Sequence, residues 1–205
     1  MSRATRDLQR LACLGVLVGG LIATTSRPAL AGAAGTISGT VAAKPSKFLP
    51  ETVVYLKKVT GAKRVARTVE VNQKGMQFLP HITLIVEGDT VEFKNSDKVD
   101  HNVMSPDGEK YDLGTWGEGK RKSRTFAKAG VYTQLCQLHP EMLAFVFVGQ
   151  NPYAAVVDAS GAFTISDVPP GTYTIEIWNS HLKAPSQSVT VTTGKPQAVK
   201  FQLTR

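Results

Sequence analysis

Cysteine is almost absent from this 205-residue chain, which holds only Cys13 and Cys136. A disulfide-stapled scaffold is therefore excluded. Aromatic residues are sparse at 7%, but 42% of the chain is hydrophobic, which argues against wholesale disorder. Helical periodicity is scarce, low-complexity tracts and clean internal repeats are lacking, and no apolar run is long enough to span a bilayer comfortably. Histidine is limited to His81, His101, His139 and His181. That leaves little material for a multi-histidine catalytic metal centre.

The N-terminus has the pattern of an export signal. Arg3, Arg6 and Arg10 precede the apolar run 11–23, and Ala29-Leu30-Ala31 fits a small-x-small cleavage site. The expectation is a cleaved signal peptide over 1–31 and a periplasmic protein, with a retained N-terminal anchor as the alternative. Cys13 lies inside the apolar run with Arg10 three positions before it, which makes it a poor lipoprotein acceptor. Cleavage would remove four arginines and one aspartate, lowering the formal charge from +8 to +5. It would also leave Cys136 as the single thiol. A lone thiol in an oxidising compartment is a liability unless it is buried or bound, which favours a metal ligand or a catalytic group.

Beyond the signal the chain is a succession of short alternating segments separated by turn residues, the all-β pattern. Strands are expected over 36–43, 52–59, 67–71, 77–86, 89–96, 101–105, 121–128, 130–136, 143–149, 162–168, 172–179, 186–194 and 198–204. Gly88, Gly108, Gly130, Gly161, Gly171 and Gly194 mark turns between them. The basic run 117–124 reads as a solvated strand edge able to steer an acidic partner, not as a nucleic-acid site.

The chemistry concentrates in CQLHPEM, residues 136–142, together with His101. Cys136, His139 and Met142 are spaced Cys-x2-His-x2-Met, and His101 comes from a separate strand. Two imidazoles, a thiolate and a weak thioether are the donor set of a type 1 copper site. Three other readings stand beside it. Zinc accepts Cys-His-His, although methionine is a poor zinc ligand. A Cys136–His139 nucleophile pair oriented by Glu141 needs an oxyanion hole, and a histidine only three residues on favours a shared ion. Plain core packing is the third. His81 reads as structural, within an alternating strand, and His181 as a loop residue of another domain.

Two resemblances bear on these readings. The stretches "VEGDTVEFKNSDKVDHNV" and "FAKAGVYTQLCQLHPEM", within residues 66–149, resemble the cupredoxins, the superfamily of plastocyanin, azurin and amicyanin. The ligand loop is most like the short loop of amicyanin. The resemblance implies one type 1 copper per chain, with His101, Cys136, His139 and Met142 as ligands and Asn102 tying the two ligand loops together. It departs from the family at Gln137, where threonine or serine is usual. "VVDASGAFTISDVPPGTYTIEIWNS", with the opening segments "GTISGTV" and "ETVVYLKK", resembles the carboxypeptidase regulatory-like, or transthyretin-like, β-sandwich. The combination is similar to plastocyanin-like methylamine utilisation proteins.

The expected architecture is all-β, with a cupredoxin Greek-key sandwich inserted in or packed beside a transthyretin/Ig-like sandwich. Its expected divisions are the signal 1–31, the first strands of the regulatory-like sandwich at 32–62, a cupredoxin domain at 63–149 and the rest of the sandwich at 150–205. The resemblance implies a non-enzymatic periplasmic carrier of single electrons. Its partner would be a cytochrome c or a quinoprotein-type dehydrogenase, with no nucleic acid and no membrane span in the mature chain. The alternative is a copper-binding module for delivery, storage or sensing.

Overall fold

The computed structural model describes residues 34–62 and 64–205. The expected signal peptide, with Cys13, lies outside the described residues, as does Lys63. Among the described residues no helix is long and apolar enough to cross a membrane.

Two β-sandwiches share the chain. The first opens with β1 (Gly35–Ala43), a 3-10 helix (Ser46–Glu51) and β2 (Thr52–Leu56). The chain then runs through all of the second: β3 (Thr68–Gln73), β4 (Phe78–Leu79), β5 (Ile82–Val86), β6 (Thr90–Asn95), β7 (His101–Ser105), β8 (Tyr111–Trp116), β9 (Arg121–Thr125), β10 (Gly130–Leu135) and β11 (Leu143–Gly149). It returns to complete the first with β12 (Ala154–Val156), β13 (Ala162–Val168), β14 (Gly171–Asn179), β15 (Gln187–Val191) and β16 (Gln197–Leu203). The cupredoxin strands are thus inserted between the second and third strands of the other sandwich.

In the outer sandwich, a sheet ordered β13-β1-β16 covers one ordered β12-β2-β14-β15. Ile37, Val54, Phe163, Ile175, Val191 and Phe201 fill the space between them. In the inserted one, β4-β3-β6-β9 covers β5-β11-β10-β7-β8 around Val71, Phe93, Val103, Phe126, Tyr132 and Val146.

A third apolar cluster joins the two sandwiches, and strand alternation explains it. On β11, Ala144, Val146 and Val148 face the cupredoxin core, while Phe145 and Phe147 face outward. On β2, Val54 and Leu56 face the core of their own sandwich, while Val53 and Tyr55 face outward. The outward sets meet, with Ile82 and Trp178, as one cluster. Strands buried on both faces lose the polar half of the alternation, which is why 143–149 is a nearly unbroken apolar run.

The expected strands differ from the observed ones in three places. The segment 77–86 is interrupted, because Pro80 has no N–H to give a ladder, and it forms β4 and β5 on different sheets. Neither β8 nor the three-residue β12 is among the expected strands. In β8 the alternation is broken by Gly114. The pairs Asn102↔Thr115 and Met104↔Asp112 leave two β8 residues opposite one of β7. Gly114 takes φ +70° there, a left-handed conformation that glycine adopts without a Cβ penalty.

Candidate metal centre

His101 opens β7, and its side chain is fully buried. Cys136 follows the last residue of β10, and His139 and Met142 lie in the turn leading to β11. The Met142 N–H donates to the His139 carbonyl at 3.0 Å, closing that turn. Because β10 pairs with β7 through Leu135↔Met104, the end of β10 is brought beside the start of β7.

The donor atoms converge. His101 Nδ1 stands 3.1 Å from His139 Nδ1, and Cys136 Sγ is 3.7 Å from the same His139 nitrogen. One ligand atom from each of the three residues lies within 4.8 Å of the other two. Cys136 and Met142 are both buried, at 4% and 1% exposure, within the cupredoxin core. The fit to an ion can be tested with bond lengths. Two nitrogens bound at about 2.0 Å are about 3.1 Å apart when they subtend about 100°, and a sulfur at about 2.3 Å is about 3.7 Å from such a nitrogen at about 115°. The two separations measured from His139 Nδ1 suit a shared ion.

The surroundings set the chemical state of the donors. His101 Nε2 faces Asp97 Oδ2 at 2.8 Å. With a proton held on Nε2 by that carboxylate, Nδ1 keeps its lone pair for the centre. Asp97 is itself fixed by the N–H groups of Gly75 (2.8 Å) and Met76 (2.9 Å). Burial pushes the Asp97 carboxyl up, but these N–H groups and the His101 ring outweigh it and hold it below the usual carboxylate range. The backbone N–H of Asn102 donates to Cys136 Sγ at 3.3 Å, and the Asn102 side-chain oxygen accepts from the Gln137 N–H at 3.3 Å. The amide nitrogen of Asn102 donates to Asp112 Oδ1 at 2.7 Å. The Gly114 N–H and then the Asn102 amide hold the Asp112 carboxyl below its ordinary range, against an opposing effect of burial.

At Gln137, where the sequence departs from the cupredoxin pattern, the side chain donates to Asp112 Oδ2 at 3.1 Å and lies 3.6 Å from Met104 Sδ. The departing side chain therefore joins the loop ties from the surface. Asp97 and Asp112 were not legible as supporting residues. Asp97 sits four positions before His101, a signal that could have been read. Asp112 lies on the unexpected strand β8.

Of the other two histidines, His181 lies as expected in the loop after β14 of the outer sandwich, and His81 does not lie where the sequence puts it. His81 lies in the break between β4 and β5, not within a strand, and is 42% exposed. It and His181 face the same carboxylate, that of Glu51.

The fold and donor set define a cupredoxin domain with a candidate copper centre. Residues 65–149 match the family model described as copper binding proteins, plastocyanin/azurin family. Residues 148–199, within the outer sandwich, match that of polysaccharide lyase family 4, domain II. No curated protein matches the chain. Among solved structures it is similar to a purple cupredoxin from Nitrosopumilus maritimus, at 25% identity over 39% of this chain and 98% of that one, TM-score 0.37. It is similar to amicyanin from Paracoccus versutus at 26% identity, over 46% of this chain and 96% of that one, TM-score 0.38. A copper-containing nitrite reductase from Thermus scotoductus SA-01 is 27% identical, over 53% of this chain but 28% of its own, TM-score 0.39.

Proposed function

We propose that the protein is a periplasmic type 1 copper protein that carries single electrons between redox partners, exported by a signal peptide over residues 1–31. The observation that carries this reading is the convergence of His101 Nδ1, His139 Nδ1 and Cys136 Sγ at ion-sharing distances within the cupredoxin core. Those three residues would hold one copper per chain, and Met142 would add the weak thioether. Bound copper supplies a one-electron Cu(II)/Cu(I) couple.

The chain's own residues keep the donors still. Asp97 orients the His101 ring, and Asn102 fixes both the sulfur and the start of the ligand turn. A site that does not rearrange between oxidation states exchanges electrons with little nuclear motion. His139 is partly exposed, and its neighbours Leu138 and Pro140 are exposed, Leu138 at 49%. This apolar rim suits brief contact with a small redox partner such as a cytochrome c or a dehydrogenase.

An enzyme working through Cys136 is disfavoured. The His139 nitrogen that would act as base is already 3.1 Å from a second imidazole, and the thiol is buried. The protein is read as a carrier and not as an enzyme.

The test is to load the full chain with Cu(II) and record visible and EPR spectra. An intense thiolate-to-copper band with narrow parallel hyperfine splitting is expected. A pale spectrum, or colour that survives Cys136→Ala, overturns the site. A reversible couple with fast self-exchange separates a carrier from a copper-delivery module, which would bind Cu(I) tightly and pass it on.

A further inference from the structure

Strand alternation leaves a polar and aromatic row on the outward face of the β2–β14 pair. Tyr55 stands opposite Glu176 in their register, and Trp178 lies two residues further along the same face of β14. Across the junction, Phe147 of β11 meets Tyr55 at 5.0 Å and Trp178 at 6.4 Å between centroids, and Phe145 meets Trp178 at 5.1 Å. Tyr55, Phe147, Trp178 and Phe145 thus form a continuous row of rings. Tyr55 and Trp178 keep part of their surface exposed.

Two cavities open along this row. One of about 280 Å³ is lined by Tyr55, Phe147, Trp178, Lys57, Glu176 and Gln150. Ala129 and Gly130 also line it, and residues so small leave the rings uncovered. The other, of about 420 Å³, is lined by Phe145, Asp107, Thr133, Ser180 and His181. Val131 and Trp178 line both, so the two adjoin as one cleft at the junction of the sandwiches. Small-molecule sites concentrate at such junctions, in pockets with apolar and aromatic walls and a few placed polar groups.

The polar groups narrow the ligand's chemistry. Glu176 Oε2 accepts from the Tyr55 hydroxyl at 2.8 Å, and Oε1 accepts from Lys57 Nζ at 2.9 Å. The Lys57 ammonium, helped by Tyr55, holds the Glu176 carboxyl below its ordinary range against the opposing effect of burial. A carboxylate already paired with an ammonium offers a cationic ligand little. Glu176 in one cavity and Asp107 in the other repel an anion. That leaves a neutral ligand. A flat aromatic one would cover the rings but strip water from Lys57, Glu176 and Gln150 without replacing its hydrogen bonds. A sugar ring is apolar on its faces and carries hydroxyls around its edge. It covers the aromatic row and pairs its hydroxyls with the spare lone pairs of Glu176 and the remaining N–H donors of Lys57.

We propose that this cleft binds a neutral oligosaccharide, stacked on the aromatic row with a sugar unit in each cavity and with Lys57 and Glu176 recognising its hydroxyls. The site shares no residue with the Cys136 centre and does not depend on it.

Calorimetric titration of the full chain with cellotetraose, maltotetraose and chitotetraose tests this. At least one is expected to bind with a Kd of about 1 mM or tighter. Its monosaccharide, able to fill only one of the cavities, is expected to bind at least about tenfold more weakly. Trp178→Ala and Glu176→Ala should each weaken tetrasaccharide binding at least about tenfold. Glu176 lies outside the apolar clusters, so its variant carries the test if loss of Trp178 disturbs the fold, and far-UV circular dichroism checks both. The ligand should also shift the indole fluorescence of the parent. Trp178→Phe, which leaves Trp116 in place, should abolish that shift. The proposal is overturned if no tetrasaccharide binds at about 10 mM, if the monosaccharide binds as tightly as the tetrasaccharide, or if Glu176→Ala leaves the affinity unchanged.

Discussion

The backbone N–H of Asn102 donates to the Cys136 sulfur at 3.3 Å, while its side-chain oxygen accepts from the N–H of Gln137 at the same distance. One residue at the start of β7 thus holds the end of β10 from two sides. Asn102→Ala keeps the first bond and deletes the second, and it also leaves Asp112 without its amide partner. Copper affinity is expected to fall about 10- to 100-fold, with the type of spectrum retained because all four proposed ligands remain. Competition with a chromogenic chelator measures this. Unchanged affinity would show that the tie is dispensable.

Asp97 places a negative charge 2.8 Å from the outer nitrogen of His101. A negative charge near the centre favours Cu(II) over Cu(I), so removing it raises the potential. Asp97→Asn keeps an oxygen able to accept from Nε2 and deletes the charge. The midpoint is expected to rise by roughly 60 mV, a tenfold change in a one-electron equilibrium. Cyclic voltammetry decides, and a midpoint that falls contradicts the electrostatic role.

Gln137 lies at the position where the cupredoxin pattern has a hydroxyl residue, yet the bond to Asn102 uses its backbone N–H, which any residue but proline supplies. Its exposed side chain adds only the 3.1 Å bond to Asp112. Gln137→Thr is therefore expected to cost about 1 kcal/mol or less in urea unfolding and to leave the copper spectrum unchanged. A shifted thiolate band would mean that the side chain reaches the metal's electronics.

Much of this was legible in the chain, for identifiable reasons. The heptapeptide 136–142 carries Cys136 and His139, which the structure brings beside His101, and His101 heads a strand whose limits, 101–105, match the expected ones. The doubly buried strand 143–149 stands out as an apolar run. Three things were hidden. β8 was obscured by the bulge at Gly114, which breaks its alternation. The break at Pro80 was absorbed into a longer hydrophobic pattern. The grouping of Glu51, His81 and His181 depends on how two sandwiches pack, and no local period encodes that. Asp112 was invisible for the first of these reasons, since its role depends on the β7–β8 register.

Asp89 is fully buried and accepts from the N–H groups of Arg67 (2.8 Å) and Val86 (3.0 Å), with Arg64 Nη2 at 2.5 Å. Burial pushes its carboxyl up, but the Arg64 and backbone hydrogen bonds outweigh that and hold it below the usual range. A depressed folded-state value contributes stability above the unfolded value of about 3.9. That stability is lost as the pH falls from there through the folded value. Asp89→Asn is expected to lower stability by about 3 kcal/mol at neutral pH, with the gap to the parent narrowing below about pH 4. Urea midpoints measured across the acid range check it. A gap that stays constant would assign the loss to packing instead of charge.

Trp178 on β14 meets Phe145 and Phe147 of β11 at centroid distances of 5.1 and 6.4 Å, and so spans the two sandwiches. Its removal takes a large apolar surface from the junction. Trp178→Ala is expected to cost about 3 kcal/mol, the low end for a core tryptophan because this one is only partly buried. The loss falls on the junction and not on the candidate copper centre. Cys136 and Met142 lie in the cluster on the opposite face of β11, with Ala144 and Val146. The blue band should therefore be unchanged at room temperature. On heating, the sandwiches should separate energetically: loss of the blue absorbance and loss of the far-UV signal, which coincide in the parent if the junction couples them, should occur at different temperatures in the variant. If both still vanish together at a lower temperature, Trp178 stabilises the whole fold without being what couples its halves.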